Sequence, residues 1–314
     1  MTDMTSPITP GMTSPIAPDM AGSRIAPALG TIPAHALQRV IDTALAEDAP
    51  WGDITSEVFL PADATATAVL AARETGVLSG GDVFVAVMRA VDPSITAVVA
   101  LGDGSSFDAG DVLASVSGSA RSVLRAERVA LNLVQRMSGI ATATARYVAA
   151  VEGTGARIVD TRKTTPGLRA LERYAVRCGG GHNHRTSLSD AVLAKDNHLA
   201  VIAAQGVPIG DAIRTARARL GHTVHLEVEV DRIDQIEPVV AAGVDTIMLD
   251  NFTPDDLREG IGIVGGRALV EASGGVSLQT VAAIAATGVD VVSVGALTHS
   301  ARALDLGLDI AVAG

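Results

Sequence analysis

Val224-His-Leu-Glu-Val-Glu-Val230 and Thr246-Ile-Met-Leu-Asp250 are two short, mostly apolar runs separated by a stretch with helical spacing. Each run has the length of one strand, and the stretch between them has the length of one helix. Repeated strand–helix units of this kind predict a parallel sheet, either open or closed into a barrel. Four further runs follow the same pattern from residue 156 onward, at 157–161, 191–195, 268–272 and 291–294.

Almost every one of these predicted strands ends in polar residues, for example Asp160-Thr-Arg-Lys163, Lys195-Asp-Asn197 and Asp250-Asn251. In α/β barrels the active site collects at the carboxyl ends of the strands, where such side chains meet. Six runs are fewer than the eight strands of a full barrel. The sequence therefore predicts a reduced α/β barrel over residues 146–296, with a site at one of its ends.

The first half of the chain has a different pattern. Residues 1–33 are rich in Thr, Pro, Met and Ser and contain a near-duplication, which indicates a disordered tail. Beyond the tail, a first helix, strands at 66–71 and 97–101 and long helices over 121–150 are predicted. Residues 34–145 are thus expected to form a separate α/β domain.

The composition argues against several classes of function. A net charge of −11 argues against broad binding to nucleic acid or to anionic membranes. The single cysteine, Cys178, excludes an intramolecular disulfide and a Cys-based metal cluster. Because neither an apolar run of membrane-spanning length nor a secretory leader is found, we expect no membrane span and a cytoplasmic location.

Lysine is rare in this chain. Lys163 and Lys195 are the two lysines among 24 basic residues, and the other 22 are arginines. A lysine offers a compact charge, or an amine whose pKa shifts readily, and arginine offers neither. Both lysines lie at predicted strand ends of the barrel, so we expect them to lie in the site; the alternative is chance and codon bias.

The segment 160–167 closes one predicted strand and opens a helix. Arg162 and Lys163 are neighbours that project in different directions, so they can hold two different anionic groups. Arginine suits a planar carboxylate, and lysine suits a phosphate. A solvated basic turn is the alternative.

A second candidate segment, Gly179-Gly-Gly-His-Asn-His-Arg185, is a glycine-rich loop followed by histidine and arginine. Glycines allow the backbone to approach a ligand closely. We predict that His184 and Arg185 bind an anion. A metal site at His182 and His184 is the weaker alternative, because no Cys, Asp or Glu at matching spacing accompanies them.

Acidic and apolar residues alternate over 226–230, so Glu227 and Glu229 share one face of a strand. Carboxylates that point into a barrel mouth suggest Mg²⁺ binding or charge balance for cationic side chains. A solvated strand face is the alternative. Asp250 ends the next predicted strand, which places another carboxylate nearby. Glycine-rich loops at 271–275 and 294–298 follow the last two strands, where backbone N–H groups commonly bind a phosphate.

Taken in order, these motifs resemble those of the quinolinate phosphoribosyltransferase family. The resemblance covers about residues 34–310 without interruption, and the tail lies outside it. The motifs that carry it are at residues 127–141, 160–167, 179–185, 195–198, 226–231, 248–251, 272–275 and 293–300.

The resemblance implies a fold, an assembly and a reaction. Members pair an N-terminal α/β sandwich domain with a reduced α/β barrel, and we expect residues 297–314 to pack on the sandwich. They form homodimers, sometimes larger assemblies, in which the partner's N-terminal domain covers each barrel mouth. The implied reaction joins quinolinate to phosphoribosyl pyrophosphate, with Mg²⁺, and gives nicotinate mononucleotide, pyrophosphate and CO2 for NAD synthesis.

The resemblance also implies roles for individual residues. The quinolinate site would be lined by Thr161, Arg162, His184, Arg185 and Lys195, with Arg128 reaching in from the neighbouring subunit. Lys163 would meet the phosphates of the sugar donor, while Glu229 and Asp250 would hold Mg²⁺ or the ribose hydroxyls. The 5′-phosphate would lie in a cradle formed by Ser273, Gly274, Gly275, Val294, Gly295 and Ala296. The catalytic set would be Lys163, Lys195, Glu229 and Asp250.

Three rival functions share some of these features. A molybdenum-associated paralogue would keep the fold and change the substrate, although the full set of cationic residues favours quinolinate. A Schiff-base aldolase would use Lys195 as its nucleophile, and borohydride trapping of an adduct would reveal it. A binding module without activity would show no turnover.

Overall fold

The structure is a computed structural model that describes residues 29–311. Residues 1–28 of the predicted tail lie outside the described residues. Its last five residues are described, and they contact the folded body. Leu29 packs beside Val77, Ala141 and Cys178, and Ile32 packs against the main core.

An antiparallel sheet of four strands forms the centre of the N-terminal domain. Its strands are β1 (Thr65–Ala72), β3 (Thr96–Val99), β5 (Val112–Ser119) and β12 (Leu306–Ala311), in the order β12-β1-β5-β3. A separate ribbon pairs β2 (Gly76–Val77) with β4 (Ser106–Phe107). β12 runs antiparallel to β1, so the end of the chain returns to this domain.

Four helices accompany this sheet: α1 (Ala34–Asp48), α2 (Ile54–Phe59), α3 (Gly81–Val91) and α4 (Ala120–Ala150). Residues in β1 alternate between exposed and buried, as expected for a sheet with one face packed on helices. α3 and α4 contribute a large apolar face to the core, including Phe84, Met88 and Met137. α4 runs unbroken through the predicted domain boundary at 145/146, so a continuous helix joins the two domains.

Six parallel strands form the second domain, which confirms the predicted barrel of fewer than eight strands. They are β6 (Arg157–Val159), β7 (Val192–Ala194), β8 (Leu226–Val230), β9 (Thr246–Asp250), β10 (Leu269–Ser273) and β11 (Val291–Ser293). The strand order is β6-β11-β10-β9-β8-β7. Within residues 29–311 no ladder joins β6 to β7; instead, His182 makes an isolated parallel bridge to Val159.

Helices cover the outside of the barrel: α5 (Arg169–Cys178), α6 (Asp196–Ala204), α7 (Ile209–Arg219), α8 (Ile236–Val240), α9 (Pro254–Val264), α10 (Val281–Ala285) and α11 (Ala296–His299). A 3-10 turn, Ile233–Gln235, leads into α8. The sequence pattern did not predict α6, which begins immediately after Lys195. None of the helices within residues 29–311 is long and apolar enough to cross a membrane.

Every residue of β8 is buried, including Glu227 and Glu229. Val228 and Val230 belong to the hydrophobic core, so the two glutamates face the barrel interior. The solvated strand face that was the alternative for these glutamates is therefore wrong.

Candidate active site

Two arginines lie partly buried in the barrel without a carboxylate partner. Arg162 follows β6, and Arg185 ends the loop that bridges to β6. Their Nε atoms are buried and have no hydrogen-bond acceptor, and neither side chain forms an ion pair with any residue in 29–311. Burial, and next the nearby charge of Arg162, lower the pKa of Arg185. Two forked cations that lie near each other and form no ion pair have the geometry that suits a planar dianion.

His184 lies between two buried glutamates inside the barrel. Its Nε2 is 3.2 Å from Oε2 of Glu227 and 3.5 Å from Oε1 of Glu271. Its Nδ1 lies 2.7 Å from the backbone nitrogen of Arg185. Both ring nitrogens are thus engaged within the protein, which leaves His184 no free nitrogen for a substrate carboxylate in this arrangement. Glu227 contacts His184, so it fits the role of balancing a cationic side chain. This is one of the two roles that the sequence suggested for the acidic face of β8.

The charges of this group are coupled. Burial alone lowers the pKa of His184, but hydrogen bonds to Glu227 and Glu271 outweigh burial and raise the pKa to about 10. Burial, followed by the charge of Glu271, raises the pKa of Glu227. Both directions favour a protonated group at neutral pH, with the Nε2 side of the His184 ring facing the two carboxylates.

Asp160 holds the loop that carries His184. Its fully buried carboxylate accepts hydrogen bonds from the Asn183 amide at 2.6 Å and from the His184 backbone N–H at 2.7 Å. Arg173 pairs with the same carboxylate at 3.3 Å and also donates to the His184 carbonyl at 2.7 Å. Asp160 thereby fixes the position of the loop beside β6, in the gap where the barrel lacks a strand.

Lys195 and Glu229 form an ion pair at the carboxyl ends of β7 and β8. The lysine side chain is 45% exposed and the glutamate side chain 10% exposed, so the charge pair lies at the mouth of the barrel. Glu229 therefore balances the charge of Lys195, as Glu227 does for His184 on the same face of β8.

Glu229 and Asp250 line one cavity of about 880 Å³, between the carboxyl ends of β8 and β9 and α6. Asp250 accepts one hydrogen bond, from the side-chain amide of Asn251 at 2.7 Å. Mg²⁺ usually binds one or two protein carboxylates, and waters and substrate phosphates complete its coordination shell. These two residues fit that requirement, although Glu229 already contacts Lys195. Within the described residues, a different group of three potential metal ligands lies close together. It consists of His184, Glu227 and Glu271.

Backbone N–H groups are free in the two glycine-rich loops. Those of Gly274, Gly275, Gly295 and Ala296 meet no acceptor within residues 29–311. Ser273 ends β10, and its carbonyl accepts from Asn251, while Gly274 and Gly275 have positive φ angles of 87° and 59°. These loops can therefore offer several N–H groups to a phosphate.

Val294 differs from the other predicted cradle residues. It is 1% exposed, and its N–H donates to the carbonyl of Val159 at 3.0 Å, within the barrel. The Val294 N–H is consequently unavailable to a phosphate in this arrangement, because it is part of the connection between β11 and β6.

Lys163 lies against the second glycine loop. Its carbonyl accepts from the Thr298 hydroxyl at 2.8 Å, and a Cβ built on Gly295 would lie 3.0 Å from its Cδ. The same added Cβ would lie 3.1 Å from Nε2 of His299. Gly295 therefore leaves room for both basic side chains at this loop. Thr161 stabilises the preceding turn, since its hydroxyl accepts from the Lys163 N–H at 3.1 Å.

The predicted residues do not share a single cavity. Glu229 and Asp250 line the cavity beside α6, whereas His184 and Arg185 line a second cavity of about 570 Å³, at the amino ends of β6, β9, β10 and β11. Glu227, one layer below Glu229 on the same strand face, belongs to the second cavity. Arg128 lines neither: it lies exposed on α4, and its side chain makes no hydrogen bond or ion pair with the described chain.

Some residues of the site were missed by reasoning from sequence. Asn251 and His299 lie inside the quoted motifs but were assigned no role. Glu271 was read only as part of a glycine loop, and Asp160 only as part of a turn. A useful signal for Glu271 was its position in β10, where an acidic residue faces the barrel interior between apolar neighbours.

The sequence and the fold match known proteins over both domains. Residues 140–309 match the model of the C-terminal domain of quinolinate phosphoribosyl transferase, and residues 53–138 match the model of its N-terminal domain. The chain is 44% identical over 281 residues to the nicotinate-nucleotide pyrophosphorylase [carboxylating] of Mycobacterium leprae, covering 88% of this chain and 97% of that relative. It is 38% identical over 274 residues to a probable enzyme of the same name from Bacillus subtilis, covering 87% and 93%.

A solved structure agrees with these relatives. NadC from Streptococcus pyogenes superposes with a TM-score of 0.86 at 39% identity, and the match covers 91% of this chain and all of that one. Both domains are thus accounted for, in the same order and over nearly their whole length. The chain belongs to the quinolinate phosphoribosyltransferase family.

Proposed function

We propose that this chain transfers the phosphoribosyl group of phosphoribosyl pyrophosphate to quinolinate with loss of CO2, and so makes nicotinate mononucleotide for NAD synthesis. The observation that carries the proposal is the pair Arg162 and Arg185, two partly buried guanidinium groups whose Nε atoms have no acceptor. A buried N–H without an acceptor is costly, and a planar dicarboxylate would satisfy the Nε groups of both arginines. The relatives named above are enzymes of this reaction by name.

The residues of the mouth suit the transfer step. As pyrophosphate leaves, positive charge develops on the ribose ring, and the fixed carboxylates of Glu229 and Asp250 can stabilise it. Lys163 and the free N–H groups of Gly274 and Gly295 would hold phosphates. Glu229 and Asp250 would hold Mg²⁺, which would neutralise negative charge on the leaving group.

Decarboxylation needs no group beyond the substrate itself. Once the ring nitrogen of quinolinate carries the ribose, it is positively charged. It accepts the electron pair released when the adjacent carboxylate leaves as CO2, and a proton then adds to that ring carbon. Arg162 and Arg185 would hold the dicarboxylate during the first step, and Lys195 would lie at the edge of the same site.

A homodimer with a shared site is part of this proposal. α2 exposes an apolar face, on which Phe59 is 80% exposed, and Trp51 just before it is 92% exposed. An apolar surface of this kind marks a protein interface. Arg128 is exposed on α4 and has no partner within the described chain, so it can reach a neighbouring barrel. The cytoplasmic location stays a prediction from the sequence.

Formation of nicotinate mononucleotide, pyrophosphate and CO2 from quinolinate, phosphoribosyl pyrophosphate and Mg²⁺ tests the proposal directly. Arg162→Ala should raise the KM for quinolinate roughly 30-fold or more, because truncating a buried charged contact costs about 2 kcal/mol or more. Arg214→Ala is the matched control, since Arg214 lies exposed on α7 and pairs with Asp211. Absence of product from the folded wild-type protein would overturn the proposal. Borohydride trapping of an adduct on Lys195 would support the aldolase alternative, which the family assignment does not favour.

A further inference from the structure

Asn251 stands apart from every other described residue that is not glycine. Its φ angle is +61°, the one positive φ among the non-glycine residues in 29–311. The left-handed region is unfavourable for side chains with a Cβ, and asparagine tolerates it best. A strained position of this kind persists when the surrounding contacts hold it, and it often marks a functional site.

The backbone of Asn251 connects two strand ends of the barrel. It follows β9 directly, and its N–H donates to the carbonyl of Ser273, the last residue of β10, at 2.9 Å. Asp250 and Ser273 are also register partners in the parallel ladder. The bend at Asn251 therefore sets the position of both strand ends at the barrel mouth.

The side chain of Asn251 is wedged between the carboxylate and the first glycine loop. Its Nδ2 donates to Oδ2 of Asp250 at 2.7 Å. Its Oδ1 lies over Gly274, where an added Cβ would be 2.2 Å from that oxygen. The same amide group thus contacts the carboxylate of the mouth on one side and limits the loop on the other. The Asn251 amide thus binds one carboxylate oxygen of Asp250, and both residues line the cavity that they share with Glu229.

We propose that Asn251 is a positioning residue for the phosphoribosyl half of the site: it orients the Asp250 carboxylate and holds the Gly274 loop at a matching position. This inference rests on the proposed function. It predicts that the Asn251 side chain affects binding of phosphoribosyl pyrophosphate and leaves binding of quinolinate nearly unchanged, since Arg162 and Arg185 lie on other segments.

Two variants separate the backbone from the amide. Asn251→Gly keeps the left-handed backbone, which glycine adopts readily, and removes only the side chain. Asn251→Ala removes the amide and adds strain. If the side chain positions Asp250, both variants should raise the KM for phosphoribosyl pyrophosphate about tenfold, with the KM for quinolinate within about twofold of wild type; tenfold corresponds to about 1.4 kcal/mol. Only the alanine variant should also lose thermal stability.

A measurement that does not need turnover completes the test. Phosphoribosyl pyrophosphate with Mg²⁺ should raise the melting temperature of the wild-type protein, and the rise should be smaller for Asn251→Gly. If Asn251→Gly matches the wild type in KM and in this thermal shift, then Asn251 serves only the backbone bend and the inference is wrong. If the wild type itself shows no turnover with quinolinate, the proposed function fails, and the thermal shift still decides the role of Asn251.

Discussion

Nε2 of His184 lies 3.2 Å from Oε2 of Glu227, in the interior of the barrel and one layer below the ion pair of the mouth. The histidine comes from the loop at the gap between β6 and β7, and the glutamate comes from β8, which pairs with β7. Glu271 on β10 approaches the same nitrogen. His184 is therefore paired with two buried carboxylates. Its protonation should affect the stability of the fold.

Stability at alkaline pH tests this group. The raised pKa of His184, about 10 against an ordinary 6.5, stabilises the folded state fully below pH 6.5. That stabilisation is lost as the pH rises through about 10. Glu227→Gln removes the closer carboxylate, so its free energy of unfolding should fall less between pH 6.5 and 10 than that of the wild type. Urea unfolding at several pH values measures both slopes, and equal slopes would contradict the pairing.

Lys195→Arg tests the compact charge at the mouth. The substitution keeps the positive charge, but the broader guanidinium does not fit beside Glu229 in the place of an ammonium. We expect quinolinate turnover to fall at least tenfold. A tenfold loss corresponds to a rise of about 1.4 kcal/mol in the activation free energy. Circular dichroism and the melting temperature check that the variant is folded. Near-normal turnover in a folded protein would remove Lys195 from the catalytic set.

Mixed dimers test the shared site. Arg128→Ala and Lys195→Ala should each be nearly inactive as homodimers, because every site then lacks one residue. In a mixed dimer one of the two sites has both wild-type residues. After random exchange at equal amounts, about half the dimers are mixed, and activity should return to roughly a quarter of wild type. If the subunits exchange and no activity returns, Arg128 acts within its own chain or has no role in the reaction.

Glu74 provides a test at acid pH. Hydrogen bonds from Arg302, and next from the Asp305 N–H, lower the pKa of Glu74 from 4.5 to about 2. A lowered pKa stabilises the folded state above pH 4.5, and this contribution is lost as the pH falls through about 2. Glu74→Gln should therefore be less stable than wild type at pH 6, and the difference in free energy of unfolding should shrink below pH 4.5.

Glu259→Gln is the control for that comparison, since Glu259 is exposed on α9 and forms no ion pair with the described residues. Its stability should follow the wild type across the same pH range. A constant difference between Glu74→Gln and wild type from pH 6 to pH 3 would show that Glu74 does not hold the C-terminal segment through its charge.

The amino-acid sequence by itself determined the alternation of strands and helices in the second half and the number of barrel strands. It also determined the position of polar residues after those strands. These features follow from local periodicity: a buried parallel strand is a short apolar run, and its polar end is the next few residues. The same periodicity placed Glu227 and Glu229 on one face of β8. It could not show α6, because that helix buries no residue and carries no clear apolar stripe.

Only the tertiary structure decided what those polar residues contact. Arg162 and Arg185 lie close together, His184 meets Glu227 and Glu271, and β12 pairs with β1 across most of the chain. Such contacts depend on strand order and register, which bring together residues tens to hundreds of positions apart and leave no mark in local spacing. The left-handed backbone of Asn251 belongs to the same class, because it is held by Ser273 on the neighbouring strand.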